Sequence, residues 1–206
     1  IISSEILTIG LGAFYKCTQL RRVEISENSE LEIIESEAFK DSSIESILIP
    51  SKVVELKEGW CNGLKELNKI TVMSNNQRYK SYDNKFIIGK SNKTQEEYDE
   101  LIFSIRNIKQ ITIPTFIKTI CSYSFCECKQ LKEIDIPNNS LLETIDSNAF
   151  SESSIEKINF PINLKKIGQN AFYNCKNLRY VEIPTNSMLE IIEIEAFKNS
   201  SIESIL

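Results

Sequence analysis

Two stretches decide the fold: LRRVEISENSELEIIESEAFKDSSIESIL, from Leu20 to Leu48, and LRYVEIPTNSMLEIIEIEAFKNSSIESIL, from Leu178 to Leu206. They agree at 23 of 29 positions although 158 positions separate them, far more than shared composition supplies. The chain is therefore built by duplicating a unit.

Aligning on Ala-Phe exposes the unit. IGLGAFYKCTQLRRVEIS, IIESEAFKDSSIESILIP, ICSYSFCECKQLKEIDIP, IDSNAFSESSIEKINFP, IGQNAFYNCKNLRYVEIP and IEIEAFKNSSIESIL reduce to IxxxAFxxC/SxxL/IxxIxIP. Phe14 to Phe39, Phe125 to Phe150 and Phe172 to Phe197 are steps of 25 residues, while Phe150 to Phe172 is 22, so two unit lengths alternate. The shorter step follows copies reading SSI. A divergent copy, LKEGWCNGLKELNKITV, is aligned with Trp60 at the Phe position and Gly59 at the Ala position. This period is that of leucine-rich repeats, each unit one turn of a superhelix.

Each recurring letter has a physical reason. The last two apolar residues of LxxIxI have period 2 and point to one face of a short strand, which must be the interior. Pro50, Pro114, Pro137, Pro161 and Pro184 follow it and end ladder pairing, because proline has no N–H. The Ala-Phe segment reads as one helical or 3₁₀ turn whose Phe plugs the opposite side of the coil. The expected architecture is one right-handed leucine-rich-repeat solenoid of about eight coils over residues 1–206, with parallel strands and short helical turns. Residues 73–107 break the pattern. They carry apolar pieces at Phe86 to Ile88 and Leu101 to Phe103 around a polar excursion, and read as a hairpin-like insertion or as a longer repeat with a disordered tip.

Six cysteines invite a metal or disulfide reading. Cys17, Cys128 and Cys175, however, stand three residues after Phe, where Ser42, Ser153 and Ser200 stand in other copies, so a small residue that meets a backbone group is wanted there. Cys128 and Cys175 are two coils apart, about 10 Å at the strand spacing, too far for a bridge. Cys121, Cys126 and Cys128 cluster without any His or a second ligand pair at zinc spacing, so no metal is expected; a disulfide through Cys121 or Cys126 stays open.

Composition narrows the function further. With 24 basic and 29 acidic residues the net charge is −5, which leaves no footprint of nucleic-acid binding. No apolar run approaches the roughly 20 residues of a membrane span. The chain begins at Ile1 without a signal sequence and reads as a fragment cut from a longer protein. It has no histidine, no GxGxxG, no Walker loop and no GxSxG, so neither an enzyme nor a cofactor is expected.

If the strands line the concave face of the solenoid, a partner would meet there the outward residues flanking the first Ile of IxI. One row reads Arg22, Ser46, Lys69, Gln110, Glu133, Lys157, Tyr180 and Ser204; the other reads Glu24, Leu48, Thr71, Thr112, Asp135, Asn159 and Glu182. Such a mixture suits a protein or glycan read by many modest contacts, and is also what an ordinary solvated strand face shows. Tyr180 and Arg22 are the expected anchors. Asn92, Asn138 and Asn199 head N-x-S/T sequons, acceptors if the chain enters a eukaryotic secretory path.

The IxxxAFxxCxxLxxIxIP unit, its alternating lengths and the segment NNQRYKSYDNKFI closely resemble the BspA-like leucine-rich repeats, a family named for a bacterial surface antigen. The resemblance spans essentially the whole chain. It implies a non-catalytic cell-surface or secreted protein that adheres to host cells, matrix proteins or other microbes. The rival is an intracellular scaffold using the same face, which unpaired thiols would suit slightly better.

Overall fold

The computed structural model describes residues 1–92 and 94–205; Lys93 of the Asn92 sequon and Leu206 of the last repeat lie outside the described residues. The chain forms two compact units, Ile1–Glu97 and Tyr98–Leu206. In the first, β1 (Thr8–Ile9), β2 (Ile33–Ile34) and β4 (Glu55–Leu56) form one parallel sheet, and β3 (Ser46–Ile49) pairs in parallel with β5 (Lys69–Val72) in another. Bridges Ile2↔Ile25 and Arg22↔Ser46 extend that second sheet. β6 (Tyr79–Tyr82) and β7 (Phe86–Gly89) close an antiparallel hairpin.

The second unit repeats the scheme. β8 (Glu100–Ser104), β10 (Thr119–Ile120), β12 (Thr144–Ile145), β14 (Lys166–Ile167) and β16 (Ile191–Ile192) pair in parallel, in that order. On the other side of each coil run β9 (Gln110–Thr112), β11 (Glu133–Asp135), β13 (Lys157–Asn159), β15 (Tyr180–Glu182) and β17 (Ser204–Ile205), also parallel. Coils with an Ala-Phe segment thus carry the expected IxI strand, reduced to bridges at Arg22 and Ile25 in the first coil, and a second, two-residue strand just before that segment, whereas β8 is five residues long. Strand pairing continues from coil to coil, as a solenoid requires.

The prolines act as the sequence predicts. Their carbonyls accept from the N–H three residues on, at 2.9 Å from Ser140 to Pro137 and 2.9 Å from Ser187 to Pro184, so each strand ends in a turn that brings the chain to the opposite sheet.

The Ala-Phe segment is not a helix: among the described residues it is a run of consecutive turns. Alternate N–H groups explain this. Ala149, Ser151 and Ser153 donate within the coil to the carbonyls of Asp146, Asn148 and Phe150, whereas Asn148, Phe150 and Glu152 donate to Gln169, Ala171 and Tyr173 of the next coil. A helix would turn every donor inward and leave the stack without this ladder. The alternation needs two left-handed residues per coil, two before and two after Phe, such as Asn148 (φ 58°) and Glu152 (φ 59°). Asn, whose side chain tolerates that region, fills several of these positions.

The core is a pile of rings. Phe125, Phe150, Phe172 and Phe197 stack at centroid separations of 4.9, 5.1 and 5.0 Å, within 7° of parallel, and the first three are fully buried. The first unit has a stack of its own, in which Phe14 and Phe39 lie 5.3 Å apart. There the structure corrects the alignment of the divergent copy. Phe39 N–H donates to Trp60 O and Asp41 N–H to Asn62 O, the bonds that Phe150 and Glu152 make to Ala171 and Tyr173. Trp60 therefore occupies the Ala position and Cys61 the Phe position, both 2% exposed. Large and small have changed places. The indole meets Phe39 edge-on at 6.4 Å, and Cys61 falls 22 residues after Phe39, the short step due after an SSI copy.

The interruption also differs in detail from the expected insertion. The hairpin turns through Asp83, Asn84 and Lys85, the first two at positive φ (51° and 52°), where Asp and Asn are tolerated, upstream of the polar excursion. Leu101 and Phe103 belong to β8 in the second unit.

Candidate functional site

In each unit the IxI strands pair so that equivalent residues lie side by side. In the first, Arg22 bridges Ser46, Ser46 faces Lys69, and Leu48 faces Thr71. In the second, Gln110, Glu133, Lys157, Tyr180 and Ser204 form one ladder; Thr112 faces Asp135, and Asn159 faces Glu182. Within each unit these residues therefore stand side by side on adjacent strands. Arg22, Glu24, Lys69, Glu133, Asp135, Lys157, Tyr180 and Glu182 are all exposed, while the intervening Val23, Ile70, Ile134, Ile158 and Val181 are buried. The residues fall into two sets: Arg22, Glu24 and Lys69 on the first unit, the other five on the second.

Electrostatics separates these residues. Lys157 pairs with Glu182 at 3.5 Å, and the Tyr180 hydroxyl lies 3.4 Å from Glu203 Oε2, while the other oxygen of that carboxylate, Oε1, accepts from Arg179. The side chains of Arg22, Glu24, Lys69, Glu133 and Asp135 make no hydrogen bond or ion pair among the described residues. A third row escaped the sequence reading. It consists of residues just before these strands, paired across neighbouring coils: Arg21 with Glu45 at 2.7 Å, Lys132 with Glu156 at 3.1 Å, and Arg179 with Glu203. Its signal was available, because the residue after Leu is basic in CxxL copies and the residue after Ile is acidic in SSI copies. Each exposed pair contributes at most about 1 kcal/mol, so the row tunes the surface more than it holds the fold.

Two shallow troughs lie on these faces. One, of about 330 Å³, is floored by Ser46 and Leu48 between Arg22 and Lys69; the other, of about 300 Å³, runs along Glu133, Asp135, Lys157 and Asn159. Neither brings a nucleophile to a base. Among the described residues no group of three Cys, Asp or Glu side chains is arranged to hold a metal ion, and no helix is long and apolar enough to cross a membrane.

The position three residues after Phe behaves as expected. Cys175 donates to Phe150 O at 3.1 Å and lies 3.5 Å from the Ser153 hydroxyl, which belongs to the coil between Cys128 and Cys175. Burial pushes the Cys126 thiol up to about 12 and the Cys175 thiol up to about 11, and raises Cys128 as well. These are packing groups, poorly poised for nucleophilic work. The three sequon asparagines are exposed, but the Ser140 hydroxyl of the Asn138 sequon is fully buried and accepts Leu142 N–H at 3.2 Å.

Comparison with known proteins agrees with this architecture. A family model described as the BspA type leucine-rich repeat region matches residues 1–86 and 96–206 in six copies. No curated protein matches the chain in sequence. Among solved structures, the pneumococcal vaccine antigen PcpA superposes with a TM-score of 0.79 at 28% identity, over 89% of this chain and 44% of that one. A leucine-rich cell-surface protein from Faecalibacterium prausnitzii A2-165 gives 0.69 at 21% identity, over 97% and 56%. A leucine-rich-repeat protein from Bacteroides ovatus ATCC 8483 gives 0.56 at 21%, over 92% and 50%. The chain spans about half the length of these structures.

Proposed function

Because the chain belongs to the BspA-type leucine-rich-repeat family, a repeat-built interaction module, we propose that it serves at a cell surface, adhering to protein or glycan ligands of a host or of neighbouring microbes through the outer face of its IxI strands. The carrying observation is that face itself. In each unit a row of exposed side chains stands on buried neighbours, with the side chains of Arg22, Glu24 and Lys69 unpartnered in the first, those of Glu133 and Asp135 unpartnered in the second, and Tyr180 45% exposed. Unpaired charge and an accessible Tyr on a rigid sheet are ready to bind with little further ordering. The surface location is supported by the likeness to a vaccine antigen and to a leucine-rich cell-surface protein. Of the six cysteines, Cys61, Cys126, Cys128 and Cys175 are buried and so shielded from an oxidising exterior, and Cys17 and Cys121 are half-buried.

Antibody labelling of this region on intact and permeabilised cells tests the location, and binding of the purified chain to immobilised matrix proteins tests the role. Intact cells should label, and Tyr180→Ala or Arg22→Ala should weaken binding several-fold. Labelling only after permeabilisation would sink the adhesion reading and leave an intracellular scaffold.

A further inference from the structure

We propose that the trough of the first unit recognises an extended acidic peptide of the form Asp/Glu-x-aliphatic, with the carboxylate held over Ser46 between Arg22 and Lys69 and the aliphatic side chain seated on Leu48. This rests on the interaction-module reading above and names the partner chemistry for one of its faces.

The argument is geometric. Arg22, Ser46 and Lys69 lie side by side on three adjacent strand segments, so the two cations are two strand spacings apart, about 10 Å, with a hydroxyl between them. Neither side chain has a partner among the described residues, and each is long enough to lean over Ser46. A carboxylate placed there would meet two cations and a hydroxyl donor, the charge-assisted arrangement that favours Arg and Lys around an acid. Two residues along the strand, on the same face, the next row reads Glu24, Leu48 and Thr71. Leu48 is half-buried and apolar, bounded by a carboxylate on one side and a hydroxyl on the other.

The spacing between the rows is that of i and i+2 in any extended chain, about 7 Å. A peptide lying along the strands therefore presents alternate side chains to the two rows in step. Glu24 sets the register, because a carboxylate shifted onto the second row would meet it and be repelled. The aliphatic floor favours a peptide over a sulfated polysaccharide, which would leave Leu48 uncovered. The second unit offers no equivalent: its unpartnered charged side chains on the corresponding rows are the carboxylates Glu133 and Asp135.

The test uses the 206-residue chain and a fluorescein-labelled peptide containing Ser-Glu-Thr-Leu-Ser, followed by anisotropy, with Gln-for-Glu and Ser-for-Leu peptides and labelled dextran sulfate alongside. The acidic aliphatic peptide should bind. Its affinity should fall at least tenfold in the Arg22→Ala/Lys69→Ala chain, at least tenfold for the Gln peptide, and about threefold or more in Leu48→Ser, with circular dichroism melts confirming that the variants fold. Undiminished binding by the double variant, no binding by the parent chain, or dextran sulfate alone depending on the two cations would each overturn the assignment. The matrix-protein assay tells the two readings apart. Loss in Tyr180→Ala with no change in the double variant removes this trough and keeps the module, whereas no binding by the parent chain or by any variant removes the module itself.

Discussion

Phe150 lies fully buried between two rings at about 5 Å, whereas Phe14 has a ring on one side and is only half-buried. Phe150→Ala should therefore cost about 3–5 kcal/mol and Phe14→Ala distinctly less, measured by urea unfolding. Arg106 presents a different problem. It is 4% exposed, lies over the Phe103 ring at 4.2 Å, and donates to Ser124 O at 2.9 Å, Tyr123 O at 3.3 Å and Cys128 Sγ at 3.3 Å. The coil containing it has no Ala-Phe segment. In complete coils the carbonyl before Phe accepts the Phe N–H of the preceding coil, as Ala149 O does from Phe125. At Ser124 the Arg106 guanidinium and the Ser104 N–H take that place. Arg106→Met keeps the apolar stem but removes the donors, and should destabilise the second unit by about 1–3 kcal/mol for each carbonyl left unmet, read as a lowered Tm.

The β6–β7 segment does comparable work as an element. Asn76, 4% exposed, donates through Nδ2 to Pro50 O at 2.7 Å and Val53 O at 2.9 Å, and accepts through Oδ1 from Arg78 and Tyr79 N–H. Tyr79 Oη accepts Leu56 N–H at 3.0 Å, and Ser81 Oγ accepts Val72 N–H at 3.0 Å. Side chains here receive the strand donors that a following coil would otherwise receive through its backbone. Asn76→Ala should cost about 1–3 kcal/mol for each buried group left unsatisfied, and Tyr79→Phe about 1, with amide exchange at Leu56 accelerating in both. At this scale the sequence was only partly legible. Strands, prolines and the outward rows followed from period 2 and from proline chemistry, because these depend on one residue and its near neighbours. The turn run was misread as helical because its cause lies in the next coil, whose carbonyls draw alternate donors outward. Trp60 was placed one position late because aromatic was matched to aromatic. The spacing from Leu56 to Leu67, Ile70 and Val72, which equals that from Ile9 to Leu20, Val23 and Ile25, puts Cys61 in register with Phe14.

Across the whole chain the buried thiols link stability to pH. The Cys126 and Cys175 thiols, raised from 9.0 to about 12 and about 11, are neutral in the folded protein where they would ionise in the unfolded one. The folded state binds more protons between those values, so stability is intact below pH 9 and falls as pH rises toward 11–12. Thermal melts from pH 8 to 11 should show that decline, and Cys126→Ala/Cys175→Ala should flatten it. At pH 8.5 iodoacetamide should leave Cys126, Cys128 and Cys175 unmodified in the folded chain and alkylate them in guanidinium.

The alternation of long and short coils also governs how such a chain can change length over generations. Ser153 stands between Cys128 and Cys175. A recombination that deleted its single coil would set two thiols one strand spacing apart, about 5 Å between Cα atoms, within disulfide reach. It would also join two coils of the same length class. Losing or gaining coils in pairs keeps serine between cysteines and long beside short, so this lineage inherits its repeats most safely two at a time.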